Sequence, residues 1–163
     1  MGNFARLEKK IKTELKGRLE FGGFRELMSK LSRREAREIL IGLLFETEFH
    51  ADEDVNAIYS LAMEDRELPD DSFVREGYFG ICDKLDAIDE MIGSHSKGWK
   101  TERMSKLSRS ILRLCVYEMM FLDIPHSISI NEAVELCKKF DDDKARPFVN
   151  GILNSVKNSL EAK

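Results

Sequence analysis

Residues 129–153 decide the fold: Ser129-Ile130-Asn131-Glu132-Ala133-Val134-Glu135-Leu136, then Cys137-Lys138-Lys139-Phe140, then Asp141-Asp142-Asp143-Lys144-Ala145-Arg146-Pro147, then Phe148-Val149-Asn150-Gly151-Ile152-Leu153. Ser129 and Glu132 have the spacing of a capping box, in which each side chain meets a backbone N–H left orphaned in a helix's first turn. This predicts a helix that opens at Ser129 and carries Ala133, Leu136 and Phe140. The three aspartates form an acidic turn. Pro147 suits the first turn of a further helix, where its missing N–H costs nothing. Phe148, Val149, Ile152, Leu153 and Val156 then face inward at helical spacing.

Upstream, a helix from about Leu107 carries Ile111, Leu112, Leu114, Cys115, Tyr117 and Met119, and Ile124-Pro125 ends it. Apolar positions cover much of its circumference, which predicts the central, most buried helix. Gly93 to Lys100 reads as a loop with Trp99 as a candidate anchor. Before it, Val74, Tyr78, Ile81, Leu85, Ile88 and Ile92 step by four and three, a helical seam preceded by the punctuation of Pro69 and Asp71. A shorter helix is expected from about Val55 to Glu64. At the head of the regular pattern, Ser32 and Glu35 form another capping box, followed by the stripe Ala36, Ile39, Leu40, Leu43 and Leu44. No strand alternation occurs, so the chain reads as an all-α bundle of about six or seven helices.

Residues 1–31 stand apart. Phe4, Leu7, Ile11 and Leu15 have helical spacing, but Gly17 and Gly22-Gly23 interrupt it, and Met28 could itself be a start. The expected organisation is an N-terminal extension over 1–31, of uncertain origin, and one domain over 32–163. The chain has 163 residues, 42% hydrophobic and 34% charged, enough for one sizeable core and against wholesale disorder. With no apolar run of about 20 residues and no visible signal peptide, a cytoplasmic protein is expected.

Cys82, Cys115 and Cys137 are odd in number and lack CxxC spacing, so they read as free thiols on apolar faces, not as a zinc or disulfide set. His50, His95 and His126 are scattered. No phosphate loop, H-E-x-x-H or G-x-S-x-G is present, and no carboxylate pair stands out. Nothing in the sequence therefore asks for catalysis, a metal or a cofactor. The net charge of −4 conceals a division: residues 1–50 hold 11 basic and 8 acidic side chains, residues 51–95 hold 3 and 13, and residues 96–163 hold 12 and 9. Such segregation suits an anionic ligand on one surface and a basic partner on another, or simply a solvated acidic face.

Two segments resemble the NusB family. One is Ser32-Arg33-Arg34-Glu35-Ala36-Arg37-Glu38 leading into Ile39–Phe45. The other starts at Ile111-Leu112-Arg113-Leu114 and Tyr117-Glu118, and continues through Ile124-Pro125 and I-N-E-A-V-E-L at 130–136 to F-V-N-G-I-L at 148–153. The resemblance spans about 32–160. It implies a fold of two packed three-helix bundles and a role in transcription antitermination without catalysis. Members bind the boxA element of nascent ribosomal RNA as a single strand, together with the ribosomal protein NusE, and help RNA polymerase pass terminators. A homodimer is compatible with it.

The implied RNA contacts are Arg33, Arg34 and Arg37, with Phe140 as a ring near RNA, flanked by Lys139 and Lys144. Arg33 and Arg37 lie one turn apart on nearly one helix face, and Arg suits phosphates and base stacking. The residue-level alternatives are solvated arginines paired with Glu35 and Glu38, and an ordinary core phenylalanine. Asn131, Glu132 and Asn150 read as capping or interhelical hydrogen-bonding groups, and Arg113 as internally paired. Glu35 and the Asp141–Asp143 turn depart from the family pattern and should weaken phosphate attraction. The resemblance places NusE near Glu102 and Ser108. Related domains also occur fused to ribosomal RNA cytosine methyltransferases; no such domain follows before Lys163. A helical adaptor without RNA binding is the other alternative.

Overall fold

The computed structural model describes Arg6, Lys9, Lys10 and Thr13, then residues 31–66, 68, 70–98 and 104–162. Among the described residues from 31 onward there are seven α-helices and no strand: α1 Arg33–Phe49, α2 Val55–Arg66, α3 Ser72–Asp83, α4 Leu85–Ser94, α5 Lys106–Phe121, α6 His126–Phe140 and α7 Ala145–Glu161. The four described residues of the N-terminal segment are helical and exposed. Phe4, Leu7, Ile11 and Leu15, expected to give that segment an apolar face, lie outside the described residues, as does Trp99.

Two compact units divide the chain, with the boundary inside α3 between Phe79 and Gly80. In the first unit, α1 begins as expected. Ser32 Oγ accepts from Glu35 N–H at 3.1 Å, and Ser32 N–H donates to Glu35 Oε2 at 2.8 Å. Ile39, Leu40 and Leu43 of α1 and Tyr78 of α3 are fully buried, and Ile58, Ala62 and Val74 join them in the core. Gly77 lets α3 approach α1: a Cβ there would stand 3.0 Å from Leu40 Cδ1. Thr47 Oγ1 and Tyr78 Oη, 2.8 Å apart, bond across the same contact.

In the second unit, α5 packs against α4, α6 and α7, the central position its apolar circumference predicted. Ile111, Leu112 and Val116 are fully buried, each burial stabilising by about 1.5–3 kcal/mol. Polar clips tie α5 to two of its neighbours. Arg113 Nε and Nη2 donate to the two oxygens of Asp89 on α4 at 2.8 and 2.7 Å, the internal pairing expected for this arginine. Buried Ser129 of α6 donates to Glu118 Oε1 at 2.9 Å, and Ser108 donates to Asp141 Oδ2, just past α6, at 2.8 Å.

Three local expectations change. Helix α6 starts at His126, not at Ser129, because the N–H groups of Ile128 and Ser129 already bond to Pro125 C=O. Ser129 is therefore one turn inside the helix, where its hydroxyl serves Glu118 instead of a cap. The seam from Val74 to Ile92 faces inward but runs along two helices that meet at Lys84, with Leu85 only half-buried. Asn150 is exposed and accepts from Asn154 of its own helix, so it makes no interhelical bond here. Pro147 lies in the first turn of α7, as expected.

Candidate nucleic-acid interface

The basic cluster at the head of α1 is ordered by its cap. Once the Ser32–Glu35 box fixes the first turn, Arg33 and Arg34 are its first two residues and both are exposed. The Glu35 carboxylate is engaged by the Ser32 N–H at the positive end of the helix dipole, which favours a negative charge there. Arg33 and Arg37 do share a face, and both reach one ring. The Arg33 guanidinium carbon lies 4.2 Å from the centroid of Phe73, and that of Arg37 lies 5.7 Å away. Phe73 stands in the first turn of α3, where Asp71 Oδ1 accepts from the Val74 N–H at 3.0 Å.

Arg37 corrects the expectation of three outward-pointing arginines. It is only 5% exposed, against the open positions of Arg33 and Arg34. Helical spacing told which residues share a face, and here that face rolls inward over one turn. Arg37 is thus withdrawn from the surface, and Arg33 and Arg34 are the exposed guanidinium groups of this cluster.

In the second unit, α6 ends in Lys138, Lys139 and Phe140, with Asp141 as C-cap and Lys144 as N-cap of α7. Phe140 is half-buried, Lys144 exposed, and Lys139 Nζ lies 5.3 Å from the Phe140 ring centroid. Lys139 and Phe140 are therefore in contact, and Lys144 lies exposed four residues further along the chain. The acidic turn is less open than its sequence suggests. Asp141 accepts from Ser108 Oγ and from the Asp142 N–H, leaving Asp142 and Asp143 as its exposed acids.

The partner positions fare differently. Glu102 lies outside the described residues. Ser108, expected on a partner-facing surface, is 4% exposed, because the third residue of α5 turns inward to reach Asp141. Sequence reading missed two residues that organise these clusters, Phe73 and Asp141. Phe73 sits in an acidic stretch with no spacing relation to the arginines. Asp141 reads from the sequence only as one of three aspartates in an acidic turn.

The described fold defines an all-helical protein with a capped, arginine-headed helix in one unit and a Lys-Phe cluster in the other. A model of the NusB family matches residues 34–158, and the chain belongs to that family. It is 43% identical to the transcription antitermination protein NusB of Bacillus pumilus, over 80% of this chain and 98% of that protein. The Bacillus subtilis protein of the same name is 40% identical over the same shares. Among solved structures, T. maritima NusB superposes with a TM-score of 0.71 at 33% identity, covering 80% of this chain and 93% of that one. Antitermination factor NusB, solved with NusE in complex with dsRNA, gives a TM-score of 0.70 at 24% identity, over 78% of this chain and 96% of that one, a likeness of fold.

Proposed function

We propose that this chain is a transcription antitermination factor. It binds a boxA-like single-stranded RNA of nascent ribosomal transcripts together with NusE, within an RNA polymerase antitermination complex, and catalyses nothing itself. The observation that carries the reading is the capped head of α1. There Arg33 and Arg34 are exposed side by side, with Arg33 held on an aromatic ring. Exposed guanidinium groups at a helix N-terminus suit phosphate oxygens, and a half-buried ring such as Phe140 suits an unpaired base. The relatives' shared designation as antitermination proteins supports the same role.

The test is fluorescence anisotropy with a labelled boxA-like RNA, with and without NusE, across a salt series. Each phosphate contact on a single strand contributes roughly −0.7 to the slope of log K against log salt. Arg33→Ala with Arg34→Ala should therefore weaken binding several-fold and flatten the slope by about 1.4. Unchanged affinity and slope in that double variant refute the assignment of the site. Among the described residues no helix is long and apolar enough to cross a membrane, in keeping with a role on RNA.

A further inference from the structure

The contact between Arg33 and Phe73 reaches further than the presence of a basic helix head. Arg33 carries five N–H donors on a long side chain that, free in solvent, samples many rotamers. Here its guanidinium carbon stands 4.2 Å from the Phe73 centroid, well inside the roughly 6 Å at which a cation is held by the face of a ring. Among the described residues no carboxylate is paired with Arg33, so its donors remain available to a ligand. Two other cations of the same unit are committed to carboxylates: Arg66 to Glu46 and Arg75 to Asp70.

The ring is itself fixed. Phe73 is half-buried in the first turn of α3, whose start is tied by Asp71 to the Val74 N–H, and Val74 is buried beside it. It is also shared: Arg37, one turn along α1, approaches the same ring at 5.7 Å. Two like charges a turn apart on a helix repel each other. The electron-rich ring that both approach offsets that repulsion. A ring kept only for packing gains nothing from standing under an exposed cation with open donors.

We infer that Phe73 is a positioning residue for RNA binding: it holds the Arg33 guanidinium in place for the phosphodiester backbone of a single strand. This rests on the proposed RNA-binding role and extends it to a residue that touches no RNA itself. The ring removes rotamers that Arg33 would otherwise lose on binding, so affinity rises without an added contact. The number of phosphates neutralised stays the same, and so must the salt slope.

The experiment is a double-mutant cycle on the full chain, read by anisotropy with the boxA-like RNA over a salt series. The variants are Phe73→Leu, Arg33→Ala and their combination, with Phe73→Tyr as the ring-preserving control. Phe73→Leu should weaken RNA binding roughly three- to tenfold at an unchanged salt slope, and Phe73→Tyr should retain wild-type affinity. In the Arg33→Ala background Phe73→Leu should add almost nothing. A purely structural role would instead weaken binding whatever stands at position 33, so additive losses overturn the inference. Wild-type affinity in Phe73→Leu, with Arg33→Ala still impaired, also overturns it while leaving the RNA-binding role intact. A wild-type chain that binds no RNA, alone or with NusE, removes both.

Discussion

Alanine in place of Gly80 should destabilise the protein, although helix propensity alone predicts the reverse. Gly80 lies inside α3, where exchanging glycine for alanine ordinarily stabilises by about 0.5–1 kcal/mol. A Cβ at this position would overlap Tyr117 Oη and stand 2.8 Å from Cζ and 3.1 Å from Cε2. Tyr117 cannot yield freely. It is 8% exposed on the central helix α5, and its ring packs on Phe121 at 5.7 Å between centroids. Forcing an extra carbon into such a contact costs about 1–3 kcal/mol, so after the propensity gain the net loss should centre on about 1 kcal/mol. Gly151 supplies the contrast. It too is helical, but nothing lies within 4 Å of an added Cβ, so Gly151→Ala should keep the full propensity gain. Urea unfolding followed by circular dichroism at 222 nm would measure both, with the slope m required to stay constant. For a chain this size each kcal/mol shifts the thermal midpoint by roughly 2–4 °C. In a Tyr117→Leu background the Gly80→Ala penalty should vanish. A Gly80→Ala protein as stable as the parent, or a penalty unchanged by Tyr117→Leu, refutes the steric argument.

Arg113→Met removes both charge-assisted bonds to Asp89 while keeping the alkyl stem. It should cost about 1–2 kcal/mol in urea melts, discounted because Asp89 keeps partial access to water, and Asp89→Asn should recover part of the loss. Ser108→Ala should cost about 1–2 kcal/mol, since it leaves Asp141 without the hydroxyl that joins the start of α5 to the end of α6. Cys137 supplies a pH test. Burial, with Asp141 adding and Arg146 opposing, pushes its thiol up to about 12. An unfolded thiol ionises near 8.5, so between roughly 8.5 and 12 the unfolded state loses a proton that the native state keeps, and stability falls as pH rises. Cys137→Ala should flatten that alkaline slope. In the native protein at pH 8 a thiol reagent should modify half-buried Cys82 before Cys115 or Cys137, and equal rates at all three would contradict the burial pattern.

The helices were legible because each carries a long stripe whose period is set by the backbone. Val74, Tyr78, Ile81, Ile88 and Ile92 are all buried in the structure, as their spacing required. The crowded circumference of 111–119 marked α5 as central, and three neighbouring helices surround it. Starts were harder to read. Ser32 and Ser129 both head an S-x-x-E pattern, yet only Ser32 caps. The pattern records spacing; which hydroxyl stands at a helix start depends on the chain before it. Pro125 lends its carbonyl to the Ile128 and Ser129 N–H groups, so Ser129 lies inside a helix already begun and not at its start. The break at Lys84 was equally hidden, because a bend that keeps the same face inward leaves the apolar period intact.

The candidate site was legible to the extent that it lies on one helix. An i,i+4 spacing put Arg33 and Arg37 on a common face, and one ring receives both. What the spacing could not convey was which edge of that face meets solvent, and Arg37 is consequently buried while Arg33 is open. Pairings distant in sequence escaped for a related reason. Phe73 stands 40 positions from Arg33, and Asp141 stands 33 from Ser108, so neither contact leaves a periodic trace. Both change the meaning of the charge they touch. The ring turns a mobile surface cation into an ordered one, and the hydroxyl turns the first aspartate of an acidic turn into a brace for the Phe140 end of α6. Counts of charge along the chain therefore overstate the repulsion at that turn and understate the order at the head of α1. An electrostatic reading of this protein has to begin from which charges are already held.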